Sequence, residues 1–138
     1  MTSTSIPTAA TDVPAGEKLV IVVWAAGPER PVLAAAPFVY ALAARALEVP
    51  VEMHFTSTAV RWMLAGVADA AHTDAEGTKT VGDFIREAKA AGVRLYACSM
   101  AINEHRRGEE LISECDGFAG AGSVVGAAMD ASTRTLVF

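Results

Sequence analysis

Residues 18–24, Lys-Leu-Val-Ile-Val-Val-Trp, form a short apolar run crowded with β-branched side chains. The run shows no polar alternation, so it reads as a strand covered on both faces. Such strands belong in the middle of a parallel sheet. A parallel sheet needs long crossover connections, and the rest of the chain must supply them.

Gly27-Pro28 breaks the first strand. Pro31 to Glu48 is rich in Ala and Leu and reads as a helix, with Pro37 either opening or kinking it. Residues 50–55, Pro-Val-Glu-Met-His-Phe, are a second strand. Thr56 or Ser57 is placed to cap a following helix through Val60, Met63 and Leu64. Gly66 to Lys79 is polar and reads as a surface loop. Thr80 is a good cap for a helix with Val81, Phe84, Ile85 and Ala88 at helical spacing, and Gly92 is placed to end it. Val93 to Ala97 is a third strand, ended by Cys98. A polar stretch, Asn103 to Glu110, leads into a helical turn with Leu111, Ile112 and Cys115. Phe118 and Ala119 make a minimal strand. Ser123 caps a last helix with Val124, Val125, Ala128 and Met129, and Thr135 to Phe138 closes the sheet. The expected class is α/β. A single domain over residues 18–138 holds a mainly parallel five-stranded sheet with helices on both faces. Residues 1–17, rich in Ser, Thr, Ala and Pro, read as a flexible N-terminal tail.

Composition narrows the function. Hydrophobic residues are 52% of the chain and charged residues 20%, a balance that suits an ordered domain. The net charge is −5, and the one basic dipeptide, Arg106-Arg107, lies among Glu104, Glu109 and Glu110. No nucleic-acid partner is expected. No apolar run reaches the roughly 18 residues of a membrane helix, so no membrane partner is expected either. Met1 to Gly16 lacks the basic and apolar regions of a secretory signal, and two cysteines make no disulfide framework. A reducing cytoplasm is the expected location. No paired His or Cys spacing marks a metal site. Ala119-Gly-Ala-Gly122 lacks the lysine and spacing of a phosphate loop. Neither metal nor cofactor is expected.

Ligands of open α/β sheets bind at the carboxyl ends of the strands. That rule selects Trp24 to Gly27, Phe55 to Ser57, Cys98 to Asn103 and Ala119 to Ser123. Cys98 is the sharpest candidate. A thiol between a strand and a helical turn can face free backbone N–H groups, here those of Ser99 and Met100, which favour the nucleophilic thiolate. The alternative is a small buried hydrophobe. Cys115 reads as core on a helix stripe, its rival role being a resolving thiol for Cys98. His54 can act as acid, base or cation near the second strand's edge, on the opposite face from Phe55. His105 is placed to sit over the thiolate. Asn103 is a further candidate assistant, and Trp24 and Thr56 are candidate pocket residues.

Several segments taken together carry a resemblance. They are Ala90-Ala-Gly-Val-Arg-Leu-Tyr-Ala-Cys-Ser-Met100, Glu52-Met-His-Phe-Thr56, Lys79-Thr-Val-Gly-Asp-Phe-Ile85, and the ending Ala121 to Phe138. In their order and spacing, from about Lys18 to Phe138, the sequence resembles the DsrE/DsrF-like family of sulfur-relay proteins. The resemblance implies a three-layer α/β/α sandwich of flavodoxin-like or Rossmann-like kind, assembled as a homo-oligomer, a trimer or hexamer. It implies that Cys98 carries a persulfide, as a sulfur carrier or sulfurtransferase. A sulfane sulfur would come from a donor protein or low-molecular-weight thiol and go to an acceptor thiol. The alternatives are a binding protein for a small molecule or anion, or an oligomeric interaction protein of the same fold.

Overall fold

The computed structural model describes residue 13 and residues 15–138. The expected flexible tail falls mostly on residues 1–12 and 14, which lie outside the described residues. Five strands form one sheet: β1 (Lys18–Val23), β2 (Val51–Phe55), β3 (Arg94–Ala97), β4 (Gly117–Phe118) and β5 (Thr133–Val137). Their order is β4-β3-β2-β1-β5 and every pairing is parallel. Among the described residues four α-helices accompany them: α1 (Ala35–Ala46), α2 (Val81–Ala90), α3 (Ser99–His105) and α4 (Ala121–Ala128).

The order of the strands dictates the layers. From β1 to β4 the chain steps across the sheet in one direction, and right-handed crossovers then keep the connecting helices on one face. β5 lies beyond β1, so the chain must return, and α4 crosses the opposite face. Alternation along the strands agrees. Ile21, Val23, Met53, Phe55 and Leu95 join Phe38 of α1, Ile85 of α2 and Ile102 of α3 in one buried core. Val22, Glu52, His54 and Tyr96 point the other way.

Local chemistry accounts for most element ends. The Thr80 hydroxyl accepts the Asp83 N–H at 3.1 Å, and the Asp83 carboxylate accepts the Thr80 N–H at 3.0 Å. This reciprocal cap starts α2 and satisfies two otherwise unpaired donors. Gly92, at φ 90, follows the helix in the left-handed conformation that glycine adopts freely. Pro37 lies in the first turn of α1, where its missing N–H costs nothing, so it opens the helix without kinking it.

Four local expectations fail, each for a stated reason. Residues 57–63 form a 3-10 helix rather than an α-helix. Trp62 anchors that segment by donating its indole N–H to the Ala26 carbonyl at 2.7 Å. Neither Thr56 nor Ser57 supplies a side-chain cap there. Residues 111–115 are not helical, because their backbone pairs with the preceding segment. Ala65 N–H reaches Glu110 O and Ile112 N–H reaches Met63 O, at 2.8 and 2.9 Å. The helix of that region is instead α3, which starts at Ser99 and runs only into the first residues of the polar stretch. It buries Ala101 and Ile102 and exposes Asn103 and Glu104. Finally, Ser123 does not cap α4. The N-cap is Gly120, no side chain caps it, and Ser123 is the third helical residue.

Candidate functional site

The connection after β3 enters α3 on the core face, whereas the connection after β4 enters α4 on the opposite face. Adjacent strands whose connections part in this way leave a crevice at their carboxyl ends. Cys98 stands in that crevice. Its N–H donates to Phe55 O and its carbonyl accepts from Ile102 N–H, each at 2.9 Å, so the backbone around the thiol is held at both ends. Cys98 is the N-cap residue of α3, in extended backbone at φ −64 and ψ 123.

Partial burial would raise the thiol pKa. The Thr56 hydroxyl and the backbone N–H groups of Ala101 and Met100 face the sulfur and outweigh that effect, and the thiol is held below its ordinary value. The sheet register explains Thr56. Phe55 pairs with Ala97, so Thr56 stands level with Cys98 at the end of the neighbouring strand. The chain then turns away sharply at Ser57, φ 51. A hydroxyl that reads in sequence as a helix cap is thereby left at the thiol.

Cys98, Thr56 and His54 open on one cleft of about 170 Å³. Its remaining walls are nearly all apolar, from Val22 of β1, Ala119 and Gly120 after β4, and Ala121, Val124 and Val125 of α4. A larger hollow of about 750 Å³ lies at the amino ends of the strands, among Glu17, Glu48 and Asp130. It contains neither thiol nor imidazole and borders the undescribed residues, so the small cleft is the better candidate.

His54 is 6% exposed. Its Nε2 lies 3.2 Å from Glu52 Oε2, and Glu52 Oε1 accepts from Lys18 Nζ at 3.1 Å. The imidazole stacks on the Tyr96 ring, with centroids 5.2 Å apart. Burial pushes the Glu52 carboxyl up, but hydrogen bonds and charge from His54 and Lys18 more than offset it and hold the group below its ordinary value. His54 Nδ1 is buried and has no hydrogen-bond partner among the described residues.

The other candidates are not gathered here. Ser99 is exposed, and Ala101 supplies the N–H that Ser99 was expected to give. Met100 contributes its N–H, while its side chain is 76% exposed at the rim. Asn103 is exposed on α3 and His105 ends that helix, neither lining the cleft. Trp24 is half exposed and also stands outside it. Cys115 lies in a turn rather than on a helix, and its thiol donates to Gly117 O at 3.4 Å. Burial raises its pKa above the ordinary thiol value. The backbone N–H of Ala97, the residue before Cys98, also faces the Cys115 sulfur. The two cysteines are not joined to each other in the structure. Gly120 and Gly122 have ordinary backbone angles, and a Cβ on either would meet nothing closer than 3.8 Å. The loop therefore has no tight phosphate cradle.

A parallel α/β/α sandwich with one thiol at the carboxyl edge of β3 defines the class. The chain belongs to the DsrE/DsrF-like family, whose model matches residues 18–138. Its fold is shared with the ychN protein from E. coli, at 18% identity and a TM-score of 0.70. It is shared also with MTH1491, a protein of unknown function from Methanobacterium thermoautotrophicum, at 20% identity and a TM-score of 0.63. Each likeness covers 88% of this chain and 99% of the other. No curated protein matches in sequence. Among the described residues, no helix is long and apolar enough to cross a membrane.

Proposed function

We propose that the protein is a sulfur carrier with sulfurtransferase chemistry at Cys98. The observation that carries this reading is the thiol held below its ordinary pKa in an open cleft. Family membership adds sulfur relay as the class of activity. In the loading step the Cys98 thiolate attacks the sulfane sulfur of a donor. The donor's S–S bond breaks, its remaining part leaves as an anion, and a Cys98 persulfide forms. The groups facing the sulfur favour the thiolate before attack and again when sulfur departs to an acceptor thiol. Such exchange is fastest when the thiol pKa is near ambient pH. Ser99, Asn103, His105 and Trp24 are given no part in these steps. Donor and acceptor are proteins or low-molecular-weight thiols.

The test is intact-mass analysis after the reduced protein meets polysulfide. Wild type and Cys115→Ala are expected to gain one sulfur atom, removed again by reductant, and Cys98→Ala to gain none. A wild type that gains nothing, or a Cys98→Ala variant that gains as much, refutes the reading. Exposed Val125, Met129 and Val137 favour a second, compatible role as an oligomer-forming subunit. Sedimentation of the purified chain measures that directly.

A further inference from the structure

The carrier reading uses Cys98 and Thr56 and leaves His54 without a task. A buried polar atom with no partner costs stability, so its retention calls for an explanation. His54 Nδ1 is such an atom, on a side chain that is itself 8% exposed. The ionised Glu52 carboxylate can only accept, so the Nε2 facing it carries the proton. In the neutral ring Nδ1 is then a bare lone pair. The two ring nitrogens point nearly opposite ways. Glu52 holds Nε2 from two residues back toward the amino end of β2, which turns Nδ1 away from Glu52, and His54 lines the cleft with Cys98. His54 pairs with Tyr96, which places Cys98 one diagonal step away on the same face. Diagonal neighbours stand about 7–8 Å apart, which leaves room for a sulfur atom between them.

We propose, on the carrier reading, that His54 is the base of the discharge step and that Glu52 is the residue that positions it. The acceptor thiol enters the cleft and gives its proton to Nδ1. The thiolate so formed attacks the outer sulfur of the Cys98 persulfide in its S–SH form. The Cys98 S–S bond breaks, Cys98 leaves as a thiolate, and the acceptor departs as a persulfide. One proton has moved from the acceptor to His54, one sulfur atom has changed partners, and no outside oxidant or reductant is consumed. Loading needs no such base, because the Thr56 hydroxyl and the Ala101 and Met100 N–H groups already ease ionisation of the Cys98 thiol. The groups that bear on the imidazole are few. Glu52 stands on its own strand, Lys18 reaches Glu52 from β1, Tyr96 and Cys98 come from β3 and its end, and α4 contributes no titratable side chain.

The experiment loads wild type, His54→Gln and Glu52→Gln with polysulfide, confirms the added sulfur by mass, and follows single-turnover discharge to cysteine across pH. All three are expected to load alike. At neutral pH His54→Gln should discharge about 10²-fold more slowly, the lower end of general-base effects. The gap should close as pH passes the acceptor thiol's own pKa, about 8.5, where the acceptor arrives already ionised. Glu52→Gln should show a smaller loss of the same pH shape. Wild-type discharge in His54→Gln, or a deficit equal at every pH, overturns the proposal and leaves the carrier reading standing. A wild type that never loads overturns both. Should His54→Gln fail to fold, Glu52→Gln decides, and the absence of a pH-dependent loss in it is equally fatal.

Discussion

The two faces of the sheet are made from the same strands and treated oppositely. Ile21, Val23, Met53, Phe55 and Leu95 lie sealed under α1, α2 and α3. One residue along, Val22, Glu52, His54 and Tyr96 point to the face of α4, none of whose eight residues is buried. On the sealed face an ion pair would be a heavy cost. On the other face the Lys18–Glu52–His54 chain runs from a partly exposed lysine to a buried imidazole that lines the same cleft as the thiol. One face supplies stability and leaves the other free for polar chemistry.

Phe38→Ala should break this contrast most. Its ring lies 6.0 Å from Phe55 and 5.9 Å from Phe84. Removing it should cost about 3–5 kcal/mol in denaturant unfolding. A cost below about 1 kcal/mol would mean that the sealed face is not the stabilising one. Next comes Thr56→Val, which keeps the shape and removes the hydroxyl facing the sulfur. Alkylation of Cys98 near neutral pH should slow about tenfold, with its pH profile moved upward. An unchanged profile would assign the low thiol pKa to the α3 backbone alone.

Glu52→Gln should have a smaller effect on stability, about 1 kcal/mol or less after solvent screening. Folded Glu52 binds a proton less readily than an unfolded carboxyl. Its contribution is therefore present above the ordinary carboxylate pKa and lost as pH falls through its lower folded value. Comparing acid unfolding of wild type and variant checks that sign, since the variant should lack this part of the acid loss. The smallest effect is expected for Val125→Ser, 60% exposed on α4, at under about 0.5 kcal/mol. A larger cost that grows with protein concentration would show that a partner covers this face.

Much of this architecture was legible beforehand. The apolar run at 18–23, the strand ending at Cys98 and the Thr80 cap each rest on neighbours in sequence, and local chemistry suffices to read them. The two misread helices share one cause. Residues 57–63 and 111–115 are shaped by each other across the fold, through backbone pairs at 63–65 and 110–112 that no local pattern announces. Glu52 was missed because a carboxylate inside a strand reads as an ordinary surface residue. Its spacing of two from His54 was the available signal, since residues two apart share one face of a strand.

The sequence by itself determined the parallel α/β class and the placing of Cys98 at a strand end. Periodicity, turn residues and capping are local, and they survive without knowledge of what packs where. Only the tertiary structure decided which donors face the thiol, that Cys115 closes a turn rather than riding a helix, and that His54 is held by Glu52 and lines the cleft with Cys98. Those relations join residues on different strands and helices. They depend on strand order and register, which packing of the whole chain settles.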